Sequence, residues 1–145
     1  MSEAAPPFEI LLVEDLAADA ALVRAALKEG KFYCKLDVVD DGEKAVAYLN
    51  ERRFGRLPDL VLLDLNLPRM SGREVLQVIK DDPALRTVPV VVLTTSDVER
   101  DVEASYLLGA AGYVTKPLDV MAFFQAIHAI QDYWFTVVRR PRGSQ

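Results

Sequence analysis

The sequence has a single cysteine, Cys34, and a single histidine, His128. One thiol excludes an intrachain disulfide and fits a reducing compartment, so the expected location is the cytoplasm. Cys34 itself reads as a small strand residue. His128 stands alone in an apolar stretch far from the acidic motifs, which argues against a role as ligand or phosphoryl donor. There is no excess of positive charge: 17 Lys and Arg face 22 Asp and Glu, for a net charge of −5. That balance disfavours nonspecific nucleic-acid binding and docking on an anionic membrane. No apolar run approaches the roughly 20 residues of a membrane span. The start, "MSEAAPPFEI", has neither a basic region nor a long apolar one, so no signal peptide is expected. Internal repeats and low-complexity segments are also missing.

What is present is ordinary globular composition, with 51% hydrophobic and 27% charged residues in 145. That length suits one domain with a real core. The expected organisation is a flexible tail over 1–7, one domain over 8–138 and a second tail over 139–145 rich in Arg, Pro, Gly and Ser.

Short apolar runs alternate with helical patterns. "FEILLVED" (8–15) is strand-like and ends in two acids. Leu16, Ala20, Val23 and Leu27 then share one helix face, and Gly30 is placed to end that helix. "FYCKLDVV" (32–39) reads as a second strand, and Asp40 with Glu43 three residues later reads as a helix cap. "PDLVLLD" is the third strand, "GREVLQVIK" a helix stopped before Pro83, and "VPVVVLTT" (88–95) the fourth strand. A weaker helix over 97–108, the short strand "AGYVTKP" (111–117) and a long apolar-rich segment from Asp119 to Val138 complete the pattern. Strands that read as continuous Val, Leu and Ile are buried on both faces, as in a parallel sheet covered by helices. The fold class is therefore α/β, doubly wound and five-stranded.

In such sheets ligands bind at the carboxyl ends of the strands. Here those ends carry Glu14 and Asp15, Asp64, Thr94 and Thr95, and Lys116 followed by Pro117. Any one acid after a strand is usually a helix cap or a turn residue. The joint pattern is harder to explain that way. Three acids in one crevice repel unless a cation compensates them. Mg²⁺ suits the set, because it takes oxygen ligands and keeps several waters. A lysine and a threonine opposite complete a site for an incoming phosphoryl group, which one carboxylate would attack.

The stretches "LLVED", "PDLVLLDLNLPRMSG", "VPVVVLTTS" and "GAAGYVTKP" together resemble the receiver domain of two-component response regulators over about residues 8–130. The resemblance implies a (βα)5 flavodoxin-like fold with strand order 2-1-3-4-5. It implies that Asp64 accepts a phosphoryl group from a histidine of a sensor kinase. It implies Mg²⁺ held by Asp15, Asp64 and the backbone carbonyl of Asn66, with Glu14 acting through water. Lys116 would contact the acyl phosphate, with a cis bond to Pro117. Thr94 would swing toward the phosphate as Tyr113 turns inward. Two departures are small: Glu14 stands where Asp is usual, and Thr95 where many members carry Ala. Asn66 and Ser96 would flank the path of hydrolytic water.

The chain ends 28 residues after Pro117, too few for an attached output domain, so output is expected through another protein. Val120, Phe124, Ile127, Ile130, Trp134 and Val137 follow helical spacing and suit a core face. Met121, Phe123, Tyr133, Phe135 and Val138 are surplus apolar residues. With Trp134 they suggest a partner surface, most simply a homodimer in which residues 136–138 reach across. "TTSDVERD", "SYLLGAAGYVTKP" and "YWFTVVRRP" are similar to the single-domain regulators paired with phytochrome-type histidine kinases. Two other readings compete: a Mg²⁺-dependent aspartyl-phosphate phosphatase, and a dimeric scaffold indifferent to phosphate. The first wants a proton shuttle two residues after the nucleophile, where Asn66 stands.

Overall fold

The computed structural model describes residues 7–137. The elements run β1 (Phe8–Val13), α1 (Ala17–Glu29), β2 (Cys34–Val39), α2 (Gly42–Glu51), β3 (Leu60–Leu63), α3 (Gly72–Asp81), β4 (Val90–Thr94), α4 (Glu99–Leu107), β5 (Gly112–Thr115) and α5 (Val120–Asp132), with a π-helical turn (Tyr133–Val137) after α5. All strand pairs are parallel, and the order is β2-β1-β3-β4-β5. The doubly wound sheet expected from the alternation is what the chain forms.

The central strands are apolar throughout because helices cover both their faces. Side chains alternate along β1, so Leu11 and Val13 join one core and Ile10 and Leu12 the other. Leu49, Val75, Leu76 and Ile79 from α2 and α3 close the first core. Val23 and Leu27 from α1, with Phe123, Ile127 and Ile130 from α5, close the second. The edge strands β2 and β5 are only partly buried.

Four local expectations change. The cap of α2 is Asp41, whose side chain accepts from the Lys44 backbone N–H at 2.7 Å. Asp40 instead pairs with the Lys44 Nζ at 2.8 Å. Phe123, grouped by spacing with the outward residues, is 2% exposed and lies in the second core, while Val120 is exposed. The buried face of α5 keeps Ile127 and Ile130 and also takes in Phe123 and Gln131, with Phe124 packed partly buried beside them. No cis peptide occurs among the described residues, so the Lys116–Pro117 bond is trans. Trans is the lower-energy form of such a bond by about 0.5–1 kcal/mol.

After α5 the chain turns back on its own domain. The Phe135 ring stacks on Phe8 at 3.9 Å between centroids, and Phe32 meets both rings edge-on. Trp134 is half-buried against the second core. Tyr133 is exposed and meets Trp134 edge-on. Val138 and the tail expected over 139–145 lie outside the described residues, as do residues 1–6.

Candidate functional site at the carboxyl ends of the strands

The sheet ladder continues one residue past several strands. The Asp64 N–H donates to the Val13 carbonyl at 3.1 Å, the Glu14 N–H to Val39 at 3.0 Å, and the Lys116 N–H to Thr94 at 2.7 Å. These backbones are therefore fixed, and their side chains are the first to emerge from the sheet. Because the strands are parallel, all emerge at one edge.

The loop after Asp64 packs closely over that edge. A Cβ on Gly72 would sit 2.2 Å from the Asp64 carbonyl oxygen, and one on Gly42 would sit 2.1 Å from the Met70 carbonyl oxygen. Only glycine permits these approaches. Arg69 in the same loop has φ of 70°, in the left-handed region, and its guanidinium reaches Asp41 at 3.5 Å. Helix α3 then starts with a full capping box between Ser71 and Glu74.

Glu14, Asp64, Thr94 and Lys116 are all buried; Asp15 is exposed. Carboxylate oxygens of Glu14, Asp15 and Asp64 lie within 4.8 Å of one another. Asp15 does not cap α1, whose N-cap is Leu16, with no side-chain bond. The Glu14 carboxylate accepts from the Leu16 N–H at 3.2 Å. The Lys116 ammonium donates to Asp64 at 3.0 Å, to Asp19 at 2.8 Å and also to Glu14. The other Asp64 oxygen accepts from the Thr94 hydroxyl at 2.9 Å and from the Asn66 N–H at 3.1 Å.

Asp19 has no counterpart in the residue pattern read from the strand ends. It lies one helical turn beyond Asp15, a spacing that places both on the same side of α1, and that was the available signal. Tyr113 is half-buried, and its hydroxyl donates to the Ser96 carbonyl at 2.8 Å. His128 is far from the acids; its Nε2 lies 2.9 Å from the Ala26 carbonyl on α1.

Three carboxylates, those of Glu14, Asp19 and Asp64, thus converge on one ammonium, and a fourth, Asp15, lies beside two of them. Burial raises the Glu14 pKa to about 7, with the Asp64 charge adding to the rise and Lys116 opposing it. Burial alone would lower the Lys116 pKa, but its bonds to Asp19, Glu14 and Asp64 more than offset this and hold it above its ordinary value. An all-oxygen donor set with surplus negative charge fits a hard divalent cation.

The sequence profile of the response regulator receiver domain matches residues 10–128. Response regulator Rcp1 of Synechocystis sp. is 44% identical over 142 residues, covering 96% of this chain and 97% of its own. The Mn²⁺-bound form of Rcp1 matches with a TM-score of 0.86 over 94% of this chain and all of that one. The phosphorylated cyanobacterial phytochrome response regulator RcpA is 41% identical, with a TM-score of 0.89 over 94% of this chain and all of its own. The probable methanogenesis regulatory protein FilR2 of Methanothrix harundinacea is 40% identical over 141 residues, covering 96% of this chain and 91% of its own.

Proposed function

The chain belongs to the response regulator receiver domain family, and from that premise we propose that it is a phosphoryl-accepting switch with Asp64 as acceptor. The observation that carries this reading is the state of Asp64. It is a buried carboxylate at the end of a central strand, held on one oxygen by Thr94 and on the other by Lys116.

In the proposed reaction an Asp64 oxygen attacks the phosphorus of a phosphohistidine on a sensor kinase. The new O–P bond forms as the P–N bond breaks, and the imidazole nitrogen leaves with the electron pair. Lys116, already bonded to Asp64, follows the negative charge onto the phosphoryl oxygens. Asp15, Asp64 and the Asn66 carbonyl would hold Mg²⁺, with Glu14 acting through water. Bound there, the metal neutralises charge on the phosphoryl group. Thr94 and Tyr113 form the switch, the first by offering its hydroxyl to the phosphoryl group and the second by closing over Ser96. Phosphorylation then shifts a two-state equilibrium. Mass spectrometry after incubation with Mg²⁺ and a small phosphoryl donor tests this. Wild type should gain one phosphoryl group, and Asp64→Asn should gain none while keeping its circular dichroism. Equal labelling of Asp64→Asn overturns the assignment.

We place the protein in the cytoplasm and assign its donor to a phytochrome-type histidine kinase. Support comes from RcpA, a phytochrome response regulator that matches nearly the whole chain. FilR2 is nearly as similar in sequence, so phosphotransfer from purified kinases of both kinds decides the input. For output we propose protein contacts, including a homodimer through the end of α5 and the segment after it. Exposed Tyr133 supports that surface, with Trp134 and Phe135 at its inner margin. No helix among the described residues is long and apolar enough to cross a membrane.

A further inference from the structure

Helix α4 has little apolar hold on the domain. Ser105 is its one fully buried side chain, and Tyr106 and Leu107 face solvent. What holds its start is polar. The Asp101 carboxylate accepts from the Ser96 hydroxyl at 2.6 Å on one oxygen and from the Arg73 guanidinium on the other. Ser96 is in the loop between β4 and α4, and its carbonyl accepts from the Tyr113 hydroxyl. Arg73 is the second residue of α3.

These contacts close a circuit around Asp64. One arm runs from Asp64 to the Thr94 hydroxyl and along the chain through Thr95 to Ser96. The other runs from Asp64 to Leu65, whose carbonyl accepts from the Gly72 N–H at 3.0 Å, and so to Arg73. Both arms end on Asp101. A carboxylate with two charge-assisted or short bonds to two different elements fixes their relative position better than either bond alone.

We propose that Asp101 is a positioning residue for the switch: through Ser96 and Arg73 it holds the loop after β4 where Tyr113 can engage it and the Thr94 hydroxyl faces Asp64. The proposal rests on the reading of Asp64 as acceptor. It adds a determinant outside the acid cluster, on α4 and α3, that sets how much of the protein is in the engaged arrangement before any phosphoryl group arrives. Loss of one of these bonds should lower that population about three- to tenfold, the range that one net hydrogen bond moves an equilibrium.

The test uses the full chain labelled with 3-fluorotyrosine and read by ¹⁹F NMR, with the Tyr113 signal assigned from Tyr113→Phe. Wild type, Asp101→Asn, Ser96→Ala and Arg73→Gln are compared free and during titration with Mg²⁺ and beryllofluoride. In the free protein, the Tyr113 signal of Asp101→Asn should move away from the wild-type position. Saturating analogue should bring it back, with a midpoint about three- to tenfold higher than wild type. Ser96→Ala combined with Asp101→Asn should add little to either single change. Arg73→Gln, at the solvent side, should move the signal the same way by less, and it decides the matter if Asp101→Asn does not fold. The proposal fails if the Tyr113 signal and the analogue midpoint stay within twofold of wild type in both Asp101→Asn and Arg73→Gln. It fails equally if only the melting temperature changes. A wild type that ignores beryllofluoride would overturn the Asp64 reading instead. In that case the Tyr113 signals of the free proteins still decide whether Asp101 positions the loop.

Discussion

Helices α3 and α4 flank the same acidic edge but are held in opposite ways. Helix α3 opens with a capping box and buries Val75, Leu76 and Ile79 completely. Helix α4 opens at Val98 with no side-chain cap and rests on a carboxylate shared between its neighbours. Apolar burial is strong but has no direction, whereas a hydrogen bond can be exchanged for another at small net cost. An element meant to shift is better fastened by the second kind of contact, and the regions that move in switches come from the less stable parts of a fold.

The largest effect expected from this contrast is on stability. Leu76→Ala should cost about 2–5 kcal/mol in urea unfolding, the range for emptying a fully buried leucine site. Leu107→Ala, at a position 87% exposed, should stay within about 0.5 kcal/mol. Similar losses at both would erase the distinction between the helices.

At the strand ends, buried Glu14 predicts a pH effect of on the order of 2–3 kcal/mol. Folding raises the Glu14 pKa from 4.5 to about 7, so the folded state binds that proton more tightly. This contribution is fully present below pH 4.5 and is lost as the pH rises through about 7. Metal-free protein should therefore lose stability across that window, and Glu14→Gln should flatten the loss. A wild-type curve as flat as the mutant's would show that Glu14 is not strained by its surroundings. Because metal and proton compete for the same oxygens, stabilisation by added Mg²⁺ should be larger at pH 8 than at pH 5.5.

Smaller differences should separate the helix starts. Ser71→Ala should cost about 1 kcal/mol through loss of its cap, while Val98→Ala removes no cap at all. Last, Arg73→Gln should cost less than about 1 kcal/mol globally, as expected for a partly exposed ion pair. Amide exchange should nevertheless quicken in α4 and not in α3, and uniform quickening would argue that the two helices open together.

The sequence made the centre of the sheet legible because β1, β3 and β4 are buried on both faces and leave uninterrupted apolar runs. It made the strand-end acids legible because parallel strands must deliver them to one edge. Other features depend on contacts that a linear pattern does not carry. Asp40 and Asp41 both satisfy a capping pattern, and only the backbone conformation of Asp41 selects it. Phe123 and Phe124 are neighbours about 100° apart on α5, and both reach the second core, Phe123 fully buried and Phe124 partly, although the spacing pattern includes only Phe124. Asp19 joins Lys116 only after α1 has folded across the strand ends. The clamp through Asp101 joins residues 28 positions apart, with nothing in their local sequence to pair them.

The stacked rings of Phe8 and Phe135 have a practical consequence for engineering. They bring the first strand and the last turn of the domain together at the edge opposite the acids. A short peptide linker there could join the two ends, and new termini could be cut in a loop far from the site. Such a circular permutant, or a fluorescent reporter inserted at the junction, would leave the reactive edge unobstructed.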